Sequence, residues 1–236
     1  VRLGVSAAMK AMGQQFVLGR TIDEAINRST QARRDGYRFS FDMLGEAART
    51  DDAASRYFDS YASAIKALAS RAKADVDVFD NPGISVKLSA LHPRYEPLQA
   101  ETCVPQISER LLVLALQAKN ARIGLNIDAE EANRLDLSLD IIERVLSDES
   151  LAGWEGFGVV VQAYGRRAPA VIAWLTALAR QLNRRIMIRL VKGAYWDTEI
   201  KLAQVQGIAD YPVFTRKAAT DVSYIACARL LLDARD

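Results

Sequence analysis

The sequence contains few of the residues that build metal centres and disulfide frameworks. It has one histidine and two cysteines among its 236 residues. His92 stands alone before a proline, and Cys103 and Cys227 lie far apart, so neither a metal-ligand spacing nor a redox pair is present. No histidine-based nucleophilic triad can be assembled either. We expect no metal ion, a structural role for His92, and reduced cysteines in a cytoplasmic protein.

Long apolar runs and a strong excess of one charge are also absent. No stretch approaches the roughly 20 apolar residues of a transmembrane helix. The net charge is +2, so we expect this segment to bind no nucleic acid. The chain begins with Val1 and has no apolar signal-peptide core, and we therefore expect a piece of a longer protein.

Short segments rich in β-branched or aromatic residues alternate with stretches of helical periodicity. Strands are predicted over 37–43, 84–89, 123–129, 157–164 and 185–191, the last two buried on both faces. Helices are predicted over 3–18, 21–34, 46–73, 105–119, 129–146 and 168–182, with two more between Trp196 and about residue 232. Regular alternation of strand and helix predicts a parallel α/β sheet.

Two α/β architectures fit this order, a doubly wound open sheet and a (βα)8 TIM-like barrel. No glycine-rich phosphate motif follows the first strand, which disfavours a nucleotide-binding open sheet. Polar residues end the five strands, and barrel strand ends converge on one face: Asp42, Lys87, Asp128, Gln162 and Lys192. We predict a helical lead-in over 1–36 and the first five βα units of a barrel over 37–236, with closing strands beyond Asp236.

Lys87 and Asp128 are the charged residues whose burial most needs an explanation. Lys87 lies between apolar strand residues, so it either pairs with a neighbouring acid or serves as a substrate-carboxylate cation or Schiff-base amine. Asp128 either caps the following helix or belongs to the site. Glu130 and Glu131 are interpreted as acidic residues that complement the dipole of that helix.

The stretch RLVKGAYWD follows an apolar strand and ends in a glycine and two aromatic residues. Strand alternation places Arg189 on one face, where a buried guanidinium needs an acceptor, and turns Lys192 away from it. Gly193 permits close backbone approach or an unusual φ angle. Gln162 ends the fourth strand and either recognises a heterocycle such as a flavin or bonds to a neighbouring loop.

Several long motifs carry a resemblance to a known family. FDMLGEAA, GISVKLSALHPRYE, GLNIDAEEANRLDLSLDIIE, GWEGFGVVVQAY, RIMIRLVKGAYWDTEIK and YPVFTRKAATDVSYIACARLLL resemble, in this order, the proline dehydrogenase domain of bacterial proline utilisation A. That resemblance implies an FAD-dependent oxidation of L-proline to Δ1-pyrroline-5-carboxylate in a distorted barrel. Hydride would pass to flavin N5, and the electrons to a membrane quinone.

The resemblance also assigns roles to individual residues. Lys87 would hold the proline carboxylate, Asp128 would order the pocket, Tyr195 would lie near substrate and flavin, and Glu46 would form a gate ion pair. The implied FAD contacts are Gln162, Arg189, Val191, Gly193, Ala194 and Trp196. The family's last strands and final helix, whose arginines complete the carboxylate clamp, do not occur in this sequence.

The resemblance further implies a downstream aldehyde dehydrogenase domain that uses NAD, a homo-oligomer, and a cytoplasmic protein peripherally attached to the membrane when it reduces quinone. Two alternatives from the residues themselves remain open. One is a Schiff-base aldolase or lyase using Lys87 or Lys192. The other is a non-catalytic barrel scaffold.

Overall fold

The computed structural model describes residues 13, 17–43 and 45–234. Its α-helices and strands, in chain order, are α1 (Ile22–Arg34), β1 (Ser40–Asp42), α2 (Asp51–Ala69), β2 (Gly83–Val86), α3 (Ala100–Asn120), β3 (Leu125–Ile127), α4 (Leu135–Leu146), β4 (Phe157–Gln162), α5 (Ala168–Gln181), β5 (Met187–Val191), α6 (Trp196–Val205) and α7 (Lys217–Asp233). The predicted helix over 3–18 lies almost entirely outside the described residues. No helix in the described ranges is long and apolar enough to cross a membrane.

Local capping sets where several helices begin. The Thr21 hydroxyl accepts the Glu24 N–H at the start of α1 and so acts as its N-terminal cap. Thr50 does the same for the Ala53 N–H, so α2 begins at Asp51 rather than at the predicted residue 46. The predicted start at residue 129 is wrong, because residues 128–134 form a loop and a short 3-10 turn before α4.

The five strands form one parallel sheet in the order β1-β2-β3-β4-β5. Each strand therefore pairs with its neighbour in the sequence, which is the order of a barrel and not of a doubly wound sheet. The sheet is open in the described residues, with β1 and β5 at its edges.

The two faces of the sheet differ sharply in composition. Ile84, Leu125, Phe157 and their alternate neighbours pack against the helices in one apolar core, with Leu111 of α3 among their partners. The opposite face, called the inner face below, carries Val160, Met187 and Val191 together with most of the polar and small residues of the sheet: Ser40, Asp42, Ser85, Asn126, Gly158, Gln162 and Arg189. Functional side chains are therefore to be sought on the inner face.

The predicted burial on both faces is correct for β4 and wrong for β5. Residues Phe157 to Val161 are all buried, as expected for a strand covered on both faces. Every residue of β5 is only partly buried, although its apolar sequence predicts full burial. The reason is that no described strand pairs with the outer edge of β5.

Candidate active site

Lys87 lies at the centre of the cluster formed by the strand ends. It follows β2 directly, and its Nζ donates to Asp42 Oδ2 at 2.8 Å and to Asp128 Oδ2 at 3.0 Å. The side chain is only 14% exposed. The Tyr61 hydroxyl accepts the Lys87 N–H at 3.2 Å and so fixes the backbone below the ammonium. The ion-pair interpretation of Lys87 is confirmed, and the pair involves two acids from two neighbouring strands.

The two carboxylates decide the protonation state of Lys87. Burial acts to lower the pKa of the ammonium, but the hydrogen bonds and charges of Asp42 and Asp128 outweigh it, and the pKa is raised above its usual value. A Schiff-base lysine needs a free amine near neutral pH. The geometry therefore favours a permanent cation at Lys87 over a nucleophile.

Asp128 joins Lys87 to Arg189. Its Oδ1 accepts a hydrogen bond from Arg189 Nη2, while Arg189 Nη1 donates to Ser85 Oγ at 3.1 Å. The alternative of a helix cap is wrong, because α4 begins seven residues later and the Asp128 carboxylate bonds to the two cations. Asp128 is 9% exposed. A carboxylate this buried is stabilised by its paired cations.

Gln162 connects two loops at the ends of β3 and β5. Its Nε2 donates to the Glu130 carbonyl at 2.9 Å, and its Oε1 accepts the Ala194 N–H at 3.0 Å. The predicted bond to a neighbouring loop is therefore present, and it uses both halves of the amide. Gln162 holds the backbone of Ala194 at a fixed distance from β4.

The segment after β5 turns at Gly193. This residue has φ +144°, and a Cβ atom at its position would collide with the Tyr164 ring. Both predicted reasons for a glycine are confirmed here. The Tyr164 hydroxyl accepts the Tyr195 N–H at 3.3 Å. Trp196 then begins α6, is 42% exposed, and donates from Nε1 to the Phe214 carbonyl at 2.9 Å.

Tyr195 and Glu46 come from opposite edges of the sheet. The Tyr195 hydroxyl lies 3.4 Å from Glu46 Oε2. Burial, followed by the nearby acids Glu46, Glu130 and Glu131, raises the pKa of the phenol. Tyr195 therefore remains a neutral hydrogen-bond donor, and its contact brings the exposed Glu46 to the edge of the cluster.

Two further acids were not expected as members of this site. The Glu130 carboxylate accepts the Ser89 N–H at 3.0 Å, and burial raises its pKa. Glu199 of α6 accepts the Ala132 N–H at 2.6 Å, and burial likewise raises its pKa. The helix-dipole interpretation of Glu130 is wrong, because the helix starts only at Leu135. These carboxylates instead tie the loop after β3 to its surroundings.

The remaining sequence candidates lie where strand and loop geometry predict them. Lys192 turns away from Arg189 and pairs with Asp221 of α7 at 2.5 Å. His92 is buried and structural, with Nδ1 accepting the Arg94 N–H and Nε2 bonded to Gln106. In the part of the chain that the structure describes, no group of metal-ligating side chains converges.

The cluster has the chemistry of a carboxylate-binding site. Lys87 and Arg189 supply two cations beside Asp128, which suits a substrate carboxylate. The Arg189 side chain is 41% exposed, and Trp196, which follows the turn at Gly193, is 42% exposed. The Arg189 guanidinium supplies hydrogen-bond donors of the kind that a flavin ring accepts. The fold and this site define an enzyme-like protein of the α/β barrel class.

Comparisons with known proteins agree with that class. A family model described as proline dehydrogenase matches residues 25–236. The chain is 52% identical over 232 residues to the bifunctional protein PutA of Salmonella typhimurium, covering 98% of this chain and 18% of that relative. The chain thus spans about a fifth of that relative's length.

Solved structures give the same result. A mutant of Bradyrhizobium japonicum proline utilization A matches with a TM-score of 0.88 and 52% identity, over 99% of this chain and 24% of that one. Proline utilization A from Bdellovibrio bacteriovorus, inactivated by N-propargylglycine, matches with a TM-score of 0.90 and 27% identity, over 98% and 25%. This chain belongs to the proline dehydrogenase family. The predicted family and the barrel class are confirmed.

Proposed function

We propose that this chain is the proline-oxidising part of a bifunctional flavoenzyme and converts L-proline to Δ1-pyrroline-5-carboxylate. The main support for this proposal is the Lys87–Asp128–Arg189 cluster at the strand ends of a chain in the proline dehydrogenase family. A cation pair beside a buried carboxylate suits a substrate that carries both a carboxylate and an amine.

Lys87 binds the proline carboxylate in this proposal. An ammonium has three donors, and Asp42 and Asp128 account for two among the described residues. The third is available to a ligand. Because the raised pKa keeps the ammonium charged, the contact persists across the neutral pH range. Asp128 orders the pocket by fixing Lys87 and Arg189 relative to each other.

FAD would be held by the turn after β5 and by the ends of β4 and β5. The residues proposed for this are Gln162, Arg189, Val191, Gly193, Ala194 and Trp196. When bound, FAD accepts a hydride at N5. Gln162 fixes the Ala194 backbone, Gly193 allows the turn to pack against the Tyr164 ring, and Arg189 presents its exposed guanidinium edge.

Tyr195 and Glu46 would border the substrate pocket. Tyr195 is a neutral donor beside Glu46, and Glu46 would form the gate ion pair with an arginine from elsewhere in the protein. We also propose the helical lead-in over 1–36 and the barrel portion over 37–236.

The partners proposed for the whole protein are a membrane quinone as electron acceptor, an NAD-dependent aldehyde dehydrogenase domain, and further copies of itself. In this account it is a cytoplasmic protein that attaches peripherally to the membrane. This chain is 52% identical to a bifunctional relative and covers only 18% of that relative's length, which supports the proposal of a second domain. No nucleic acid is expected to bind this segment.

The aldolase alternative loses support from the two lysines that it needs. Lys87 and Lys192 both have carboxylate partners, and the pKa of each is raised. Borohydride treatment with substrate present should trap no adduct on either lysine. A trapped adduct would favour the aldolase.

The decisive experiment uses the full-length protein. Its absorbance spectrum should show flavin bands that bleach when L-proline is added without oxygen, with Δ1-pyrroline-5-carboxylate as the product. A flavin that L-proline does not reduce would refute the proposal. Activity of the intact protein that survives alanine at Lys87 unchanged would favour a scaffold role for this segment.

A further inference from the structure

We propose that a chain of three polar side chains on the inner face, Ser85, Ser40 and Asn126, positions Arg189 for its contact with the flavin. The inference rests on the proposed function, because it names residues that support a group assigned there to FAD. Ser85 is a positioning residue in this account, since it acts through Arg189.

The chain of hydrogen bonds is continuous and joins residues of four strands, β5, β2, β1 and β3. Arg189 Nη1 donates to Ser85 Oγ at 3.1 Å. Ser85 Oγ lies 2.9 Å from Ser40 Oγ, and Asn126 Nδ2 donates to Ser40 Oγ at 3.3 Å. The guanidinium is therefore held at one end by Asp128 and along its other arm by the hydroxyl of Ser85 on β2, three strands away in the sheet.

Ser85 and Asn126 are buried, which makes their polarity informative, whereas Ser40 is exposed on the edge strand β1. Ser85 has no exposed surface and Asn126 is 5% exposed. Barrel interiors are usually filled by branched apolar side chains, and each buried hydroxyl or amide here needs a partner to offset its lost hydration. Asn126 Oδ1 has no partner among the described residues and lies above Gly158, where a Cβ would collide with it.

Fixing two atoms of the guanidinium limits its rotation. Its planar fork then presents a defined edge towards the exposed side of the cluster, where 41% of the side chain is accessible. Without Ser85 Oγ, the Asp128 contact remains and the guanidinium can pivot about it. A group that must face a planar ring loses effectiveness when its orientation is not fixed.

The test is Ser85→Ala in the full-length holoenzyme, compared with Ser108→Ala. Ser108 is a matched control, because it is also buried but its hydroxyl bonds only to the Val104 carbonyl of its own helix. The rate constant of flavin reduction by L-proline should fall about tenfold in Ser85→Ala, the effect of losing one hydrogen bond to a charged group. KM should stay within about twofold, because the carboxylate contact at Lys87 is intact.

A second readout needs no substrate. The flavin reduction potential of Ser85→Ala should move to more negative values, because a well-placed guanidinium favours the more negatively charged reduced ring. Ser85→Thr keeps the Oγ and should restore both properties. Ser40→Ala, one hydrogen bond further away, should change both in the same direction by a smaller amount.

The outcomes separate this inference from the proposed function. Unchanged rate and potential in Ser85→Ala would overturn it, and so would a loss of rate that Ser85→Thr does not restore. A flavin that L-proline fails to reduce in the wild-type protein would instead refute the proposed function, and the comparison of potentials would still decide the role of Ser85.

Discussion

Replacing Lys87 by Met is the most informative perturbation of the candidate site. Methionine keeps an unbranched side chain of similar length but lacks the ammonium that joins Asp42 to Asp128. Since the Asp128 side chain is only 10% exposed, water can replace little of the contact that Asp128 loses.

The consequences for stability and for catalysis should differ in size. Asp128 retains Arg189, and Asp42 has a 38% exposed side chain that water can hydrate. The loss of stability should therefore be about 1 to 2 kcal/mol, less than the 3 to 5 kcal/mol typical of a fully unpaired buried charge. Losing the cation for the proline carboxylate should cost about 3 to 4 kcal/mol, or about 100- to 1000-fold in kcat/KM.

The assay is steady-state proline oxidation by the full-length protein, with thermal denaturation measured in parallel. Lys66→Met is the matched control, because Lys66 is exposed on α2 and distant in sequence from the strand ends. Lys66→Met should leave both quantities unchanged. A Lys87→Met protein that is folded and within tenfold of wild-type kcat/KM would refute the carboxylate role.

Three further predictions concern the loops around the cluster. Gly193→Ala places a side chain at a φ of +144° and against the Tyr164 ring, so it should abolish FAD retention. The control Gly153→Ala, at a φ of +73° with open space around it, should cost only about 1 kcal/mol of stability. Equal losses of bound FAD in the two variants would contradict this prediction. Gln162→Leu removes both bonds between the loops and should release FAD severalfold faster in a fluorescence assay; an unchanged rate would contradict it. Burial raises the pKa of the Glu199 carboxyl group in the folded protein. The protonated carboxyl group therefore contributes its full stability below the unfolded pKa of about 4.3, and this contribution is lost as the pH rises through the higher folded pKa. The melting temperature of Glu199→Gln relative to wild type should therefore increase from acid to neutral pH, and a constant difference would show the reasoning to be wrong.

Strand periodicity in the sequence predicted much of the fold and part of the candidate site. Alternation along RIMIRLV placed Arg189 on the inner face and turned Lys192 towards the helices, where Asp221 pairs with it. The same rule could have found Ser40, Ser85 and Asn126, because each lies two residues before Asp42, Lys87 or Asp128 and so shares its face.

Other features depend on contacts that no local pattern reveals. Glu130 meets the Ser89 N–H across 41 residues of sequence, and Glu199 meets Ala132 across 67. An acidic run before a periodic segment is typical of a helix start, so the loop before α4 could not be distinguished from its first turn. The partial burial of β5 likewise depends on what lies beside it, since its own sequence is apolar.

The most direct test of the central claim is a crystal structure of the full-length protein with a five-membered-ring carboxylate that cannot be oxidised. We expect a carboxylate oxygen about 3 Å from Lys87 Nζ, with Asp128 still bonded to both Lys87 and Arg189. A carboxylate bound elsewhere, with Lys87 contacting only Asp42 and Asp128, would contradict it.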